Sequence, residues 1–264
     1  MALKDITLGQ YFPGNSVVHR LDPRTKLLAV VLYIVALFLA AGLLTYAVMF
    51  AVLAMSITVS GVPVRSIVRG LRPVLFIVIF TALLNIFYTS GSTVLARFWV
   101  FTITLEGVWR AFFMVVRIMM LISGTFLLTY TTSPILLTDG LESLLNPLKR
   151  IGLPVHELAM MMSIALRFIP TLLEETDKIM KAQKSRGADF ETGNLMQRAK
   201  AMLPLLVPLF LSAFRRADEL ALAMEARCYR GGENRTRMKV LKFTLVDLWG
   251  ALAVACLLVL TIIF

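Results

Sequence analysis

Residues 27–61 read LLAVVLYIVALFLAAGLLTYAVMFAVLAMSITVSG, and no Asp, Glu, Lys or Arg interrupts them. One membrane-crossing helix needs roughly 20 residues, so this run suits a tight helical hairpin with its turn at Ala41-Gly42. Ala36 and Ala40 in one arm, and Ala47 and Ala51 in the other, have the small-xxx-small spacing that lets helices approach closely in lipid. The whole chain has the same character. Of its 264 residues, 58% are hydrophobic and only 16% charged, whereas a soluble domain is about 45–50% apolar and about 25% charged. With a mean hydropathy of +0.81, the surplus apolar surface must face lipid.

Before this run, residues 1–26 are polar and basic, with turn signals at Pro13, Gly14, Asn15 and Asp22-Pro23. No apolar core stands ahead of a small-residue cleavage site there, so Leu27 onward is expected to be the first membrane anchor. Lys4, His19, Arg20, Arg24 and Lys26 favour a cytoplasmic N-terminus. After the run, Arg65, Arg69 and Arg72 are expected to be cytoplasmic, and Pro73 to about Tyr88 reads as the third span. The next loop contains Phe98-Trp99-Val100-Phe101, which fits an outer interfacial segment or a short hairpin. Gly107 to Thr132 is the fourth span, with Arg110 near its outer end and Arg117 deeper. An arginine at that depth is expected to meet backbone carbonyls, protein interior or a water pocket, as an anchor rather than a substrate contact. Leu245 to Phe264 is the last span, which gives five crossings and an outside C-terminus.

Between residues 133 and 242 charge returns while apolar stretches persist. Leu137, Leu141, Leu144, Leu145 and Leu148 recur at helical spacing, so a short amphipathic helix is expected, kinked or ended by Pro147. Two longer helices follow. One runs from about Val155 to Arg186 and is stopped by Gly187. The other runs from about Leu195 to Cys228 and is stopped by Gly231-Gly232. Pro170, Pro204 and Pro208 are expected to kink or divide them.

These two helices end alike, in Ser185-Arg186-Gly187 and Ala226-Arg227-Cys228, 41 residues apart. Positions four and seven before each arginine share its face. They are Ala182 and Ile179 in one copy, Ala223 and Leu220 in the other. Each tip thus offers an aliphatic anchor, a small residue and a guanidinium, whose fork of donors suits a carboxylate. Two local readings stay open: snorkelling or solvated cations, and plugs for an acidic groove on another protein. Glu174, Glu175 and Asp177 likewise fit either a solvated face or a pairing with Arg215 and Arg216 of the second helix. Met160, Met161 and Met162 fit either apolar filling or an adaptable surface for several membrane partners.

Several chemistries are excluded. There is no GxxxxGK[ST] loop for ATP phosphates. His156-Glu157 lacks the second histidine of a zinc-protease helix, since Met160 stands there, and His19 and His156 have no ligand neighbours in sequence. Cys228 and Cys256 suggest neither a disulfide nor a metal site. No catalytic constellation appears. The net charge of +11 lies mainly between and beside hydrophobic runs, without interleaved aromatics, so it is no nucleic-acid signal. The rival to a docking subunit is an autonomous secondary carrier or channel. Such proteins place ionisable groups along an intramembrane path, but the spans here hold no carboxylate except Asp247 near one end.

Gly9-Gln10-Tyr11 through Leu21-Asp22-Pro23-Arg24-Thr25-Lys26-Leu27, then Leu166-Arg167-Phe168-Ile169-Pro170, then the two arginine triplets, carry a resemblance. Over nearly its whole length the chain resembles the EcfT family, the transmembrane coupling components of energy-coupling factor importers for vitamins and micronutrients. The usual triplet of that family is Ala-Arg-Gly; here Ser185 replaces the first alanine and Cys228 the second glycine. The resemblance implies an all-α polytopic membrane protein of about five transmembrane helices plus long cytoplasmic coupling helices. It divides into a membrane region over 1–132 with four spans, a coupling-helix region over 133–242 and a C-terminal transmembrane helix over 243–264. It also implies that Arg186 and Arg227 each dock one ABC-type ATPase subunit (EcfA and EcfA'), that an interchangeable S component binds the substrate, and that ATP and Mg sit in the ATPases with no cofactor in this chain.

Overall fold

A computed structural model describes residues 11–89, 93–98, 101–188, 190, 194–231 and 240–263. Lys4, Gly9, Gln10, Trp99, Val100, Gly232 and Phe264, used above, lie outside them. The elements in order are α1 (Val17–Arg20), α2 (Pro23–Leu39), α3 (Leu43–Ser60), α4 (Val64–Tyr88), β1 (Val94–Phe98), β2 (Phe101–Thr104), α5 (Leu105–Thr131), α6 (Pro134–Leu145), a 3-10 turn (Asn146–Ile151), α7 (Val155–Ser185), α8 (Leu195–Ala226) and α9 (Leu245–Ile263). Among the described residues the regular structure is helical apart from one antiparallel hairpin, in which Phe98 pairs with Phe101. Of the two sequence readings of that loop, the hairpin is the one formed.

Five helices are long and apolar enough to cross a membrane: α3, α4, α5, α7 and α9. The number matches the expectation, but the membership differs. The first hairpin arm, α2, is 17 residues long, and α7 takes its place in the count. The hairpin turn falls where expected, between Leu39 and Leu43. The third span, expected to start at Pro73, starts earlier: α4 begins at Val64 and runs through Pro73 without a break, so Arg65, Arg69 and Arg72 lie on it. α7 runs through Pro170, and α8 through Pro204 and Pro208, so neither helix is divided. α6 ends at Leu145 and Pro147 sits in the 3-10 turn after it, as its missing N–H requires.

The described residues form two compact units, one from residues 11–143 and 240–263, the other from residues 144–231. In the first, Tyr33, Ala36, Leu37 and Ala40 of α2 and its end pack with Tyr46, Met49 and Leu53 of α3, Met120 of α5 and Leu257 of α9. A second cluster joins Val62, Ile67, Leu71 and Tyr130. Gly124 of α5 makes room for α2, since a Cβ there would meet the Tyr33 ring at 3.0 Å. Ala36 and Ala40 are 1% and 2% exposed, so that small-residue seam is real. Ala47 and Ala51 are exposed instead. α3 turns Thr45, Met49 and Leu53 to the core, and residues two positions away fall on the opposite face.

The Leu21–Leu27 motif ties three helices together within this unit. Asp22 caps α2 by accepting from the Arg24 N–H at 2.9 Å, with Pro23 in the first turn. The Asp22 N–H donates to Asp247 of α9 at 2.6 Å. Lys26 is 6% exposed. Its Nζ donates to the carbonyl of Thr131 at 3.0 Å, to Thr132 Oγ1 at 3.0 Å and to the carbonyl of His19 at 3.2 Å. The cation thus closes the C-terminal end of α5, where unpaired carbonyls and the helix dipole favour it. Asp247 also accepts from the N–H and hydroxyl of Thr244, both at 2.7 Å. The one carboxylate of the expected spans is therefore a structural anchor.

Candidate functional site

The second unit is built on a seam between α7 and α8. Ile164, Phe168 and Leu172 face Ala213, Ala217, Leu220 and Met224 across an apolar groove. Glu175 is gripped by Arg216, whose Nη2 donates at 2.8 Å, and by the hydroxyl of Ser212. The pairing expected for the acidic cluster therefore exists, and Arg216 rather than Arg215 is its partner. Asp177 pairs with Lys181 one turn on, at 3.0 Å. At the other end of the seam, Tyr229 donates its hydroxyl to Met160 Sδ at 3.0 Å.

These contacts set the direction of the two helices. Met160 meets Tyr229, whereas Glu175, later in α7, meets Ser212 and Arg216, earlier in α8. The sequences run in opposite senses along the seam, so the two C-terminal tips lie at its opposite ends. Between Met162 and Arg186, α7 advances roughly 36 Å. The tips are too far apart to enter one socket.

Both tips close in the same way. In α7 the Gly187 N–H donates to the Lys184 carbonyl and the Ala188 N–H to the Gln183 carbonyl, both at 3.0 Å. In α8 the Cys228 N–H donates to the Glu225 carbonyl at 2.8 Å and the Tyr229 N–H to the Met224 carbonyl at 3.0 Å. This crossed pair of bonds is the Schellman closure, with the residue after the C-cap in the left-handed region. Gly187 has φ +89° and Cys228 has φ +56°. α8 is thus stopped at Ala226 by its own left-handed cysteine, ahead of Gly231. In each helix the C-cap residue is the arginine, Arg186 or Arg227, and both arginines are exposed.

The supporting residues follow suit. Ser185 and Ala226 are exposed, and the Ser185 hydroxyl folds back to the Lys181 carbonyl at 3.1 Å. Ile179 and Leu220 are half-buried, Ala182 and Ala223 exposed. Sequence reasoning did not foresee the cleft beside Arg227. It has a volume of about 890 Å³, and Arg167, Arg227 and Arg230 line it with Leu220, Tyr229 and Met160. No carboxylate of the described residues lines it. The methionine run is split by this arrangement: Met160 is half-buried in the cleft, while Met161 and Met162 are exposed. Arg167 was visible in the sequence as part of Leu166–Pro170 but gave no hint of its neighbours, which lie some 60 residues away in the chain. No cluster of three or more metal-binding side chains occurs among the described residues.

A family model described as CbiQ, cobalt transport protein, matches residues 14–238. A protein of Thermosediminibacter oceani named energy-coupling factor transporter transmembrane protein EcfT is 58% identical over 259 residues, which is 97% of each chain. Proteins of the same name from Ruminiclostridium cellulolyticum and Bacillus subtilis are 55% and 51% identical, over 93% and 92% of this chain. The chain belongs to the EcfT family. It is the transmembrane component of an energy-coupling factor transporter, a multi-pass membrane protein and not an enzyme. In this EcfT chain the second cap forms without glycine, on Cys228. Arg117, set among the spans of this EcfT chain, donates to Tyr46 Oη at 2.9 Å and to the Ala40 carbonyl at 3.1 Å. It closes the end of α2, in the anchoring role expected for it.

Proposed function

We propose that this chain converts the ATP-driven closure of two ATP-binding-cassette subunits into movement of a substrate-binding membrane protein. Arg186 docks one ATPase and Arg227 the other. Each guanidinium enters an acidic groove, and the left-handed turn after it leads the backbone away so that the groove can close around the tip. The observation that carries this reading is the repeated cap: two antiparallel helices, each ending in the same closure with an exposed arginine at the C-cap. When the ATPases close, they push on the two ends of the α7–α8 seam. The Glu175–Arg216 pair and the apolar groove make the helices move against each other as stiff rods, a shear transition.

Residues 133–242 are then the cytoplasmic coupling region, with the N-terminus on the same side of the cell membrane. The substrate, a vitamin or micronutrient, is chosen by the interchangeable substrate-binding protein, for which Met161 and Met162 offer an adaptable surface. ATP and Mg belong to the ATPase subunits, and this chain binds neither. The test is co-purification of the tagged chain with its partners. Arg186→Glu and Arg227→Glu each lose one ATPase, and the double variant loses both and abolishes uptake. A double variant that keeps both ATPases and full uptake overturns the proposal.

A further inference from the structure

We infer that one face of α4 is a binding lane for an anionic phospholipid, with Arg65, Arg69 and Arg72 holding its headgroup phosphate. The three arginines stand at i, i+4 and i+7, so they share one face and span roughly 10 Å along the helix axis. With Val64 and Val68 they line a recess of about 630 Å³ that holds no carboxylate. All three are exposed. Their guanidinium groups make no hydrogen bond or ion pair with the described residues.

Their position in the helix is electrostatically costly as it stands. They lie within the first three turns of α4, and Arg65, in the first turn, sits at the positive end of its dipole, where anions are stabilising and cations are not. No acidic residue lies in that first turn, and Pro63 at the N-cap provides no side-chain hydrogen bond. Three positive charges and a positive helix end both call for one kind of ligand, an anion. Arginine, with its planar fork, suits a phosphate oxygen pair.

The rest of the same face decides which anion. Continuing by threes and fours from Arg72 leads to Phe76, Ile79 and Leu83, with Phe80 beside them. Their exposures are 78%, 51%, 46% and 55%. α4 is long and apolar enough to cross a membrane, so these turns lie at acyl-chain depth when the arginines lie at its polar edge. One face therefore offers a cationic head site and, directly below it, an apolar track. Free phosphate would use only the first. An acidic protein helix would leave the second facing carboxylate-bearing turns.

The test is native mass spectrometry of the full-length, delipidated chain given equal phosphatidylglycerol and phosphatidylcholine. The wild type retains phosphatidylglycerol preferentially. Replacing Arg65, Arg69 and Arg72 together by Gln lowers that retention on the order of a hundredfold, at roughly fivefold per arginine, and leaves phosphatidylcholine unchanged. Arg110→Gln, a single charge loss on another helix, changes nothing, whereas each single Gln variant of the three lowers retention roughly fivefold. The triple Lys form keeps the charge and checks folding; it loses retention only several-fold, through the missing guanidinium fork. Equal retention of the two lipids by the wild type, wild-type retention in both triple forms, or complete displacement by millimolar inorganic phosphate each overturns the assignment.

Discussion

Cys228 occupies in the cap of α8 the position that Gly187 occupies in the cap of α7, with φ +56° against +89°. Among the described residues it is the one non-glycine at positive φ. A side chain in the left-handed region costs about 1–2 kcal/mol, while a glycine there adds about 0.4–1 kcal/mol of unfolded-chain entropy to be lost on folding. The strain is the larger quantity, so Cys228→Gly should firm the α8 tip by up to about 1 kcal/mol. Hydrogen exchange at the Cys228 and Tyr229 amides should slow, by about fivefold for 1 kcal/mol. Cys228→Val, β-branched, should speed it. Unchanged exchange in both variants would mean that the cap is not the element that limits local opening.

Under the proposed docking role, the arginine tip at Arg227 should show a marked dependence on salt. Arg227 shares its cleft with Arg167 and Arg230, so an acidic segment of the ATPase seated there meets three guanidiniums. Arg227→Gln alone should weaken ATPase retention by about tenfold to a hundredfold, the worth of one charged hydrogen-bonded contact. Adding Arg167→Gln and Arg230→Gln should weaken it further and flatten its ionic-strength dependence, because fewer exposed charges remain to be screened. Retention of the ATPase on the tagged chain across a salt series measures this. A triple variant that behaves like Arg227→Gln at every salt would show that Arg227 acts alone.

The hydrophobic runs were legible because lipid demands uninterrupted apolar length, and the α2–α3 turn and α5 stand where that length placed them. The arginine tips were legible because a helix stop leaves a local signature. What did not form is a division of the helices at proline. Pro73, Pro170, Pro204 and Pro208 all sit inside continuous helices, since packing and lipid can hold a helix together across one lost hydrogen bond. Charge misplaced one helix start: the third span is expected from Pro73, after Arg65, Arg69 and Arg72, yet α4 begins at Val64 and carries all three. Ala47 and Ala51 had the right spacing on the wrong face, and spacing alone does not say which face a neighbour covers. The Arg167–Arg227–Arg230 cleft is a product of the antiparallel seam, which no local pattern encodes.

The seam itself can be tested through Glu175. Its partner is Arg216 at 2.8 Å, with side chains 24% and 35% exposed. Partial exposure screens the pair, so the coupling should be modest, about 0.5–1 kcal/mol. A double-mutant cycle with Glu175→Gln and Arg216→Gln should give that coupling in thermal unfolding of the purified chain. The parallel cycle with Arg215→Gln should be additive. Coupling to Arg215 and none to Arg216 would contradict the observed register of α7 on α8.

Arg117 separates an anchoring role from a transport role. Its two bonds close the Ala40 carbonyl at the end of α2 and the Tyr46 hydroxyl on α3, and its guanidinium lies 5.7 Å from the Phe38 ring centroid. Ala40 and Tyr46 are 2% and 4% exposed, so neither can turn to water when the arginine is removed. Each buried group left unpaired costs about 1–3 kcal/mol. Tyr46→Phe should destabilise least, since it removes one bond with its acceptor. Arg117→Lys should come next, because one ammonium cannot reproduce the two-pronged reach. Arg117→Leu should be worst. Thermal unfolding in detergent should give that order, while uptake per assembled complex stays at the wild-type level. An Arg117→Leu chain as stable as the wild type but slow in uptake would assign the residue to the transport path instead.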